Sequence, residues 1–570
     1  MSKAKWVRPT QDQAYVQGIE ALEKVNTVGL SRPVLEFLYN RGVKTEKDLD
    51  QIVNTTEDRE LSPYDMQDME KAVSELQRII KEKKKVVIYG DYDCDGVSAT
   101  VIAMKALRNL GVNVDFYINN RFVEGYGISP LGVDNMLKKV PDAEVIITVD
   151  NGIVAYDGVA YAQEKGLEVM VTDHHLAKEE IPEALAVVNP HRLDDDSLFK
   201  DVCGATVIYK VMLALYWELG EDIEFITDMI DLVGMATVGD VMPLRSENRF
   251  FVNEALNLIE KNSRKQFEVL KDIKNVGVLN EEVFGFQFVP MINAVGRLHG
   301  TPTLAVEFFM TEDELEMYEL AHKLSDINDE RKTITTEQEE LGERLLSEKG
   351  ELGKVIVVSH PDFHAGIVGL VAGRLKEKYN RPTIVFTEEN GVLKGSSRSI
   401  DALHIKNALD EISHLIIQHG GHALAAGLAI DPSNLDAFEK AFSDLADEKL
   451  TEDDLIAKVM VDAVLCPSDV TLGLIDEIDR LRPFGQGFGA PVFGLRDFEV
   501  DKVIYMGQDK AHLKLINEET DLELVMFKHA KNYETLGEPK RIKALGTPKI
   551  NSFRGNITVQ FSVAGNSLAY

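Results

Sequence analysis

Short apolar runs alternate with amphipathic segments between residues 84 and 189. The runs are KVVIYG, VNVDFYI, AEVIITVD, LEVMVTD and ALAVVN, and segments with helical periodicity, such as Val97–Leu110, separate them. Strands that alternate with helices form βαβ units and a parallel sheet. The alternation therefore predicts an α/β fold in which the carboxyl ends of the strands meet at one edge, where open α/β sheets hold their functional sites.

Acidic and histidine residues follow the predicted strands. They occur in the segments DYDCDG, TVDNG and TDHH, and in the later segment ATVGDVMPL. These residues are Asp91, Asp93, Asp95, Asp150, Asp173, His174, His175 and Asp240. Carboxylates placed so close together repel one another unless a cation neutralises them. Oxygen ligands with one or two imidazoles suit Mn²⁺ or Mg²⁺, and Zn²⁺ fits less well because no thiolate pattern accompanies them.

Each cluster taken alone has a simpler interpretation. An Asp after a strand commonly forms a turn or caps a helix, and a His pair is more often at the surface or in the core. Calcium loops also use alternate Asp residues, but they need a Glu several residues further on, where a hydrophobic helix begins in this sequence. Four clusters in succession favour a metal site over four separate structural roles.

The chain is too long for one hydrophobic core, since its 570 residues exceed the usual size of a domain. We predict a helical segment over 1–80, the α/β domain over 81–275, a connector over 276–350, a second α/β domain over 351–453 and a β-rich domain over 454–570. Apolar positions at three-to-four spacing indicate that the connector contains one long interdomain helix. Alternation such as AHLKLINEETDLELVMF predicts a small C-terminal β-barrel.

Composition excludes several classes of protein. The formal net charge of −33 argues against a generic polyanion-binding surface, so any nucleic-acid contact has to come from a local basic groove. Three scattered cysteines without a CxxC pair fit a reducing cytosol and predict a cytoplasmic protein. The N-terminal segment has no signal-peptide pattern, and no apolar run reaches the ~18–20 residues needed to span a membrane.

Taken in order, the acidic motifs resemble those of the DHH phosphoesterase superfamily. A second set narrows the resemblance to the RecJ single-strand-specific exonuclease family: PMINAVGRL, then FHAGIVGLVAGRL, GSSRSI and GGHALAAG, which are similar to its DHHA1 domain. RPFGQGFGAPVF and the β-rich tail resemble the family's oligonucleotide-binding (OB) barrel. The resemblance implies a parallel-sheet DHH domain joined by a long helix to a smaller α/β DHHA1 domain, with a C-terminal OB-like β-barrel.

The resemblance also implies a two-metal phosphodiester hydrolase that degrades single-stranded DNA from 5′ to 3′ and releases 5′-mononucleotides, in repair and recombination. Two Mn²⁺ or Mg²⁺ ions would be bound by Asp93, Asp95, Asp150, His174 and Asp240. Asp95 and Asp150 are both candidates for the bridging ligand. Asp91 and Asp173 would hold a His ring or a metal-bound water, and His175 would contact the scissile phosphate.

Further residues are similar to the family's DNA-binding positions. Arg121 and Tyr126 resemble a backbone contact and a base-stacking platform. The residues expected along the phosphate path are Asn293, Arg297, His364, Ser396, Arg398, Gly420, Gly421 and His422. We expect a locally positive channel between the two α/β domains, wide enough for a single strand, and a single-strand-binding protein or helicase is a candidate partner.

Two other functions stay open at this point. DHH–DHHA1 relatives hydrolyse oligoribonucleotides or small cyclic nucleotides, and some DHH proteins are non-catalytic scaffolds. The additional β-rich tail favours a longer polymer substrate, and the complete acidic set favours an enzyme. Met291, Phe363 and Phe488 stand where the family pattern has arginine, tryptophan and asparagine, and we expect these departures to affect contacts with the substrate.

Overall fold

The computed structural model describes residues 5–54, 60–261, 264–507, 509–553 and 556–569. The chain divides into two compact units. The first unit consists of Met1–Asn54, Thr335–Arg482 and Ala490–Tyr570, and the second of Thr55–Ile334 and Pro483–Gly489. Residues 1–80, expected as one helical segment, therefore divide between the two units.

A parallel sheet forms the centre of the second unit. Among the described residues its strands lie in the spatial order Val114–Ile118, Val86–Gly90, Val145–Val149, Glu168–Thr172 and Val187–Val188. Every neighbouring pair is parallel, which confirms the predicted sheet and brings the carboxyl ends together at one edge. The two central strands are buried along their whole length, which explains their continuous apolar sequences.

Helices cover both faces of this sheet. They are Met69–Glu82, Cys94–Asn109, Pro130–Lys139, Tyr156–Glu164 and Gly204–Leu219. Because side chains alternate across a strand, Val86 and Ile88 enter one hydrophobic core, and Val87 and Tyr89 enter the other. This packing on both faces fixes the position of the sheet edge that carries the acidic residues.

The remaining helices of the second unit extend the larger core. They are Glu224–Thr227, Ile230–Gly239, Ser246–Glu260, Lys265–Lys274, Glu281–Val283, the π-helix Phe284–Phe288, Val289–His299 and Thr303–Met310. The predicted long helix is present as Glu314–Lys349 and is 36 residues long. The boundary between the two units falls within it, after Ile334.

A mixed sheet forms the second α/β region, in the first unit. Its strands lie in the order Gln418–Gly421, Ala425–Ile430, Val392–Arg398, Thr383–Glu389 and Ile356–Ser359. Its helices are Val368–Tyr379, Ile405–Glu411 and Leu435–Lys449. Phe386, Phe438 and Phe442 pack together in its core, with Phe386 edge-on to Phe438.

The C-terminal part of the first unit is rich in β-structure, as predicted. Strands lie in the order Ala463–Leu465, Phe493–Glu499, Arg541–Phe553, Asn556–Ala569, Leu522–Met526, His512–Asn517 and Lys502–Met506. The N-terminal part of this unit contains the helices Gln13–Val25, Arg32–Asn40 and Glu46–Val53. Its C-terminal part contains Leu472–Asp479 and Ala530–Thr535. Lys5–Val7 pairs with Lys458–Met460 in a separate two-stranded sheet.

Within the described parts of the chain, none of the helices combines the length and the apolar character that crossing a membrane requires.

Candidate metal centre

Three aspartates lie where the first central strand turns into the helix Cys94–Asn109. Asp93 caps this helix, since its Oδ1 accepts hydrogen bonds from the backbone amides of Asp95 (3.0 Å) and Gly96 (3.2 Å). A Cβ atom on Gly96 would lie 2.5 Å from the backbone oxygen of Asp91, so this turn excludes any larger residue. The DxDxDG spacing is therefore the spacing of a tight turn from strand to helix.

Asp95 is held by the start of the helix Gly204–Leu219. Its Oδ2 accepts from the amide of Gly204 (2.6 Å) and its Oδ1 accepts from the amide of Ala205 (2.7 Å). Free amides at a helix start are suitable partners for a buried carboxylate. A Cβ atom on Gly204 would lie 2.6 Å from Cβ of Asp150, so glycine also permits these two aspartates to approach. Sequence reasoning missed this pair of amides; the only signal was a glycine at the start of the helical region.

Asp150 follows the second central strand in a left-handed backbone conformation, with φ of 62°. Asp and Asn tolerate this conformation better than most residues. The next residue, Asn151, is buried and donates from Nδ2 to the backbone oxygens of Tyr89 and Val149, both at 3.0 Å. Its Oδ1 accepts from the amide of Ile128 at 3.2 Å. Asn151, also missed by sequence reasoning, thereby ties two strand ends together beside Asp150.

The imidazole of His174 lies at the centre of the cluster. Its Nε2 is 3.1 Å from Oδ1 of Asp150, 3.5 Å from Oδ2 of Asp240 and 3.6 Å from Oδ2 of Asp95. Among the described residues, Nε2 of His174, Oδ1 of Asp150 and Oδ2 of Asp240 are buried without a hydrogen-bond partner. Buried polar atoms are nearly always paired. Three such atoms that converge fit a cation, which all three would bind.

The possible ligand atoms form three overlapping sets, and the atoms of each set lie within 4.8 Å of one another. The sets are Asp95, His174 and Asp240; Asp91, Asp93 and Asp150; and Asp150, His174 and His175. Burial lowers the pKa of His174, which keeps its ring neutral and its lone pair available to a metal. Asp91, expected in a supporting position, thus lies among the possible ligands.

Burial and repulsion between neighbouring carboxyl groups raise the pKa of several acids in the cluster. Burial, followed by the charge of a neighbouring aspartate, raises the pKa of Asp91, Asp93 and Asp150 above the ordinary value. The same causes, with Asp95 as the charge of largest effect, raise the pKa of Asp240 to about 9. In the absence of a cation these carboxyl groups favour the protonated form.

We expect the metal-free protein to lose stability as the pH rises from about 4 toward about 9. Over this interval the folded chain retains protons on the cluster, including Asp240, that the unfolded chain has released, so raising the pH favours unfolding. Asp240→Asn should reduce this slope and raise the melting temperature at pH 8 by a few degrees in EDTA. Melting temperatures measured in EDTA over a range of pH give this slope for each variant. The exposed substitution Asp476→Asn should leave the slope unchanged, and an equal slope in both variants would contradict the prediction.

His175 is held by Asp173. Oδ1 of Asp173 accepts from Nδ1 of His175 (2.7 Å) and from the backbone amides of His174 (2.7 Å) and His175 (3.1 Å). Its Oδ2 accepts from the amide of Ile153 at 2.9 Å. Burial lowers the pKa of His175, but the hydrogen bond and charge of Asp173 outweigh it and raise that pKa to about 9. His175 is therefore cationic at neutral pH, unlike His174.

An aromatic wall lies beside His175. The hydroxyl of Tyr126 is 3.0 Å from Nε2 of His175, and the Tyr126 side chain is 48% exposed. The Tyr92 ring contacts Tyr126 edge-on, with centroids 6.4 Å apart, and the guanidinium of Arg121 lies 4.2 Å from the Tyr92 centroid. This wall therefore combines π-faces and a cation; Tyr92 was not anticipated from the sequence.

Asn293 and Arg297 lie on the helix Val289–His299, in the same unit as the metal ligands. Oδ1 of Asn293 accepts from the amide of Cys94 at 2.7 Å, so this side chain braces the turn that carries the aspartates. A Cβ atom on Gly296 would lie 2.6 Å from the backbone oxygen of Tyr92, which shows how closely the helix approaches that turn. Arg297 is half-buried one turn further along the helix.

The other expected DNA contacts lie in the first unit. The Nη1 atom of Arg398 donates to Oγ of Ser396 (3.3 Å) and to the backbone oxygen of Ser397 (2.8 Å), and burial lowers the pKa of Arg398. A Cβ atom on Gly369 would lie 3.2 Å from Nη2 of Arg398, so the guanidinium sits beside the start of a helix. Nδ1 of His364 accepts from a nearby amide at 3.1 Å.

The glycines of the GGH motif lie at the end of the strand Gln418–Gly421, in a β-hairpin with Ala425–Ile430. Gly420 pairs with Gly427, which in turn pairs with Ser396 on the next strand. Gly421 has φ of 150°, and a Cβ atom there would lie 2.4 Å from the backbone oxygen of Ala425. His422 is exposed, and its amide donates to the same oxygen at 2.8 Å. The motif thus presents an exposed histidine after two exposed glycines, of which Gly420 has open space around it and Gly421 packs closely against the opposite strand.

The three departures from the family pattern have structural explanations. Met291, Phe363 and Phe488 are each 2% exposed or less. Met291 packs in the large core of the second unit, and the Phe363 ring lies edge-on to His360. Phe488 stacks on Phe484. All three are packing residues.

Comparison with known proteins connects this geometry with a family. The DHH family N-terminal domain matches residues 85–237, the DHHA1 domain residues 352–448 and the RecJ OB domain residues 461–565. The single-stranded-DNA-specific exonuclease RecJ of Haemophilus influenzae is 33% identical over 558 residues, which cover 94% of this chain and 96% of that protein. The chain belongs to the RecJ family.

Other members of the RecJ family agree with this assignment. RecJ of Bacillus subtilis is 31% identical over 568 residues, or 99% of this chain and 70% of that protein. The crystal structure of RecJ from Thermus thermophilus in complex with Mn²⁺ matches with a TM-score of 0.81 and 25% identity, covering 100% of this chain and 80% of that one. The predicted RecJ-like fold, with DHH, DHHA1 and C-terminal OB regions, is confirmed.

Proposed function

We infer that this protein is a metal-dependent exonuclease that degrades single-stranded DNA from the 5′ end and releases 5′-mononucleotides. The observation that carries this inference is the convergence of unpaired buried atoms from His174, Asp150 and Asp240 on one point. Family membership supports the same activity, because the full-length relatives are named as single-stranded-DNA-specific exonucleases. Such an enzyme acts in DNA repair and recombination.

The cluster suits two divalent ions, Mn²⁺ or Mg²⁺. Asp95, His174 and Asp240 would hold one ion, and Asp91, Asp93 and Asp150 the other. Asp150 lies 3.1 Å from His174, which makes it the candidate for the ligand between the two sets. When bound, such ions neutralise the carboxylates, polarise the phosphate and lower the pKa of the attacking water.

The residues around the ions can supply the proton that the leaving group needs. Water attacks the phosphorus and the bond to the leaving oxygen breaks, so that oxygen needs a proton. His175 is cationic at neutral pH, and its Nε2, the nitrogen that Asp173 does not bind, can donate the proton. Asp173 holds the opposite nitrogen and fixes the orientation of the ring.

The aromatic wall and the polar groups of the DHHA1 region suit single-stranded DNA. Tyr126 would stack on a base beside the cleaved bond, and Arg121 would contact the backbone. Arg398, Ser396 and the glycines before His422 offer a cation, a hydroxyl and open backbone to further phosphates. Exposed bases of a single strand can reach such a platform, whereas stacked bases in a duplex cannot.

Tyr126→Ala is expected to raise KM for single-stranded DNA about tenfold, because base stacking on an aromatic ring contributes roughly 1–3 kcal/mol. Tyr126→Phe keeps the ring and removes only the hydroxyl that contacts His175, so it should keep KM near the wild-type value. Steady-state kinetics on an oligonucleotide separate the two. A similar KM for both variants and the wild type would exclude Tyr126 as a stacking platform.

The function is tested with a long single strand labelled at its 5′ end and incubated with Mn²⁺, beside the double variant Asp93→Ala/Asp95→Ala. We expect rapid release of labelled mononucleotide by the wild type, no release by the variant and none from a blunt duplex. Cleavage of oligoribonucleotides or small cyclic nucleotides, with long DNA left intact, would instead assign the chain to the phosphoesterases that act on short substrates. No metal-dependent product from any substrate would overturn the enzymatic function.

Location and partners follow from simpler features. The free cysteines Cys94, Cys203 and Cys466 support our proposal of a reducing, cytoplasmic location. The formal net charge of −33 favours protein partners with basic surfaces. A single-strand-binding protein or a helicase is the partner we propose.

A further inference from the structure

The short segment Pro483–Gly489 belongs to the unit that contains the metal ligands, although the residues on both sides of it in the chain belong to the other unit. We call Pro483–Phe488 the strap. The strap closes on itself, because the amide of Gly485 donates to the backbone oxygen of Phe488 (3.0 Å) and the reverse bond spans 3.2 Å. The Phe484 and Phe488 rings stack, with centroids 5.8 Å apart. It is a compact turn placed far along the chain from any ligand.

The strap contacts the loop that directly follows Asp240. The amide of Leu244 donates to the backbone oxygen of Gln486 at 2.8 Å. Arg245 donates to the backbone oxygen of Gly487 from Nε (3.1 Å) and from Nη2 (2.9 Å). Three hydrogen bonds therefore join the strap to residues within five positions of a predicted metal ligand.

Close packing accompanies these hydrogen bonds. A Cβ atom on Gly485 would lie 2.8 Å from Cδ1 of Leu244, and one on Gly487 would lie 3.1 Å from Cβ of Pro243. Gly487 also has φ of 73°. Glycine at these two positions allows the strap to lie directly against residues 243–244.

The loop itself has an unfavourable backbone. Val241, next to Asp240, has φ of 58°, and Ser246, where the loop ends and the helix Ser246–Glu260 begins, has φ of 48°. A left-handed conformation is rare for a β-branched residue and persists only where the surrounding structure enforces it. Asn248 donates to the backbone oxygen of Pro243 at 3.1 Å. The amides of Val241 and Met242 donate to the backbone oxygens of Val238 (3.2 Å) and Thr237 (3.0 Å) at the end of the preceding helix. The strap adds the contacts to residues 243–245 described above.

Buried charges anchor the strap in turn. Arg249 is 1% exposed, and its Nη1 donates to the backbone oxygen of Pro483 at 2.9 Å. The Phe488 ring lies over the same guanidinium, 5.0 Å from ring centroid to Cζ. Oε1 of Glu281 accepts from the amide of Phe484 at 2.8 Å. A cation and a carboxylate committed to backbone groups of one short turn indicate that this turn has a fixed position.

We propose that the strap is a positioning element for Asp240: by holding residues 243–245 of the strained loop that follows Asp240, it sets the metal affinity of the site that contains Asp95, His174 and Asp240. This inference rests on the proposed metal-dependent function. Gly485, Gly487 and Arg245 are positioning residues that act through Asp240.

The test measures Mn²⁺ affinity of the full-length protein from the electron paramagnetic resonance signal of free Mn²⁺. Gly485→Val places a branched side chain against Leu244 and should weaken Mn²⁺ binding about tenfold, the effect typical of residues that orient ligands. Gly489→Val is the matched control, since a Cβ atom there has no described atom within 4 Å, and it should bind as the wild type does. Arg245→Ala, an exposed substitution that removes two hydrogen bonds to the strap, should also weaken binding, and Arg245→Lys should restore part of it.

Repeating these titrations in an Asp240→Ala background shows whether the effect passes through Asp240. We expect Gly485→Val and Arg245→Ala to cause no further loss there, because two changes that act on one ligand are not additive. An equal loss in that background, unchanged affinity in both single variants, or an Asp240→Ala protein with wild-type affinity would each overturn the proposal. If Gly485→Val does not fold, Arg245→Ala decides.

The two inferences fail separately. Wild-type protein that binds Mn²⁺ with the expected strap dependence but degrades no single-stranded DNA would support the strap and contradict the exonuclease. If the wild-type protein degrades single-stranded DNA but the strap variants bind Mn²⁺ as tightly as the wild type, the exonuclease is supported and the strap proposal is contradicted.

Discussion

Asp150→Asn is expected to reduce turnover of single-stranded DNA by roughly 10³-fold, the scale of losing one electrostatic contribution to a transition state. Asp150 has an unpaired buried oxygen, lies 3.1 Å from His174 and takes part in two of the three possible ligand sets. Asparagine keeps the shape of the side chain and tolerates the left-handed backbone at this position. The loss should therefore come from the missing charge.

Single-turnover cleavage and thermal unfolding of the same preparation measure this prediction. The two readouts should move in opposite directions, because removing one carboxylate relieves repulsion in the metal-free cluster while weakening the metal site. Asp157→Asn, on the helix that follows the same strand, is the matched control and should leave cleavage unchanged. A folded variant with full activity would remove Asp150 from the set of ligands.

His175→Ala should reduce turnover by about 10²–10⁴-fold, which is the usual contribution of a positioned general acid. The cause is the loss of the proton that His175 is placed to donate to the leaving oxygen. The wild type should also lose activity as the pH rises through about 9, because the hydrogen bond to Asp173 maintains the imidazolium up to that pKa. In His175→Ala this alkaline decline should disappear.

A pH profile of single-turnover rates at saturating Mn²⁺ tests both the loss of turnover in His175→Ala and the disappearance of the alkaline decline. Tyr126→Phe is the control for the pH dependence, since it removes a neighbour of His175 but leaves Asp173 in place, and its alkaline decline should remain. An unchanged decline in His175→Ala would mean that another group supplies the proton. The metal affinity of His175→Ala should be measured alongside, because His175 also lies within one possible ligand set.

Local sequence patterns were sufficient to predict the parallel sheet and the acidic edge. Short apolar runs identified the strands, and the acidic and histidine residues that follow them identified the edge of the sheet where the site lies. Contacts between distant segments were not accessible in this way. The amides that bind Asp95 come from Gly204 and Ala205, more than a hundred positions along the chain. No periodicity connects a carboxylate with a helix that starts so far away.

Departures from a family motif were equally hard to interpret without coordinates. Phe488 in place of asparagine suggested an altered substrate contact, yet the ring lies over the buried guanidinium of Arg249. Met291 in place of arginine is likewise a core residue. Burial is a property of the folded chain, so a substitution within a motif reveals its role only when its neighbours are known.

The strap has a practical consequence for dividing this enzyme into modules. A shortened chain that ends before residue 454 retains every predicted metal ligand, and its sequence looks like a complete two-domain phosphoesterase. It would nevertheless lack Pro483–Phe488, which lies against the loop after Asp240. Weak activity in such a fragment would therefore not measure how much the OB region contributes to DNA binding. Exchange of C-terminal regions between homologues requires the strap to travel with the nuclease domain that it fits.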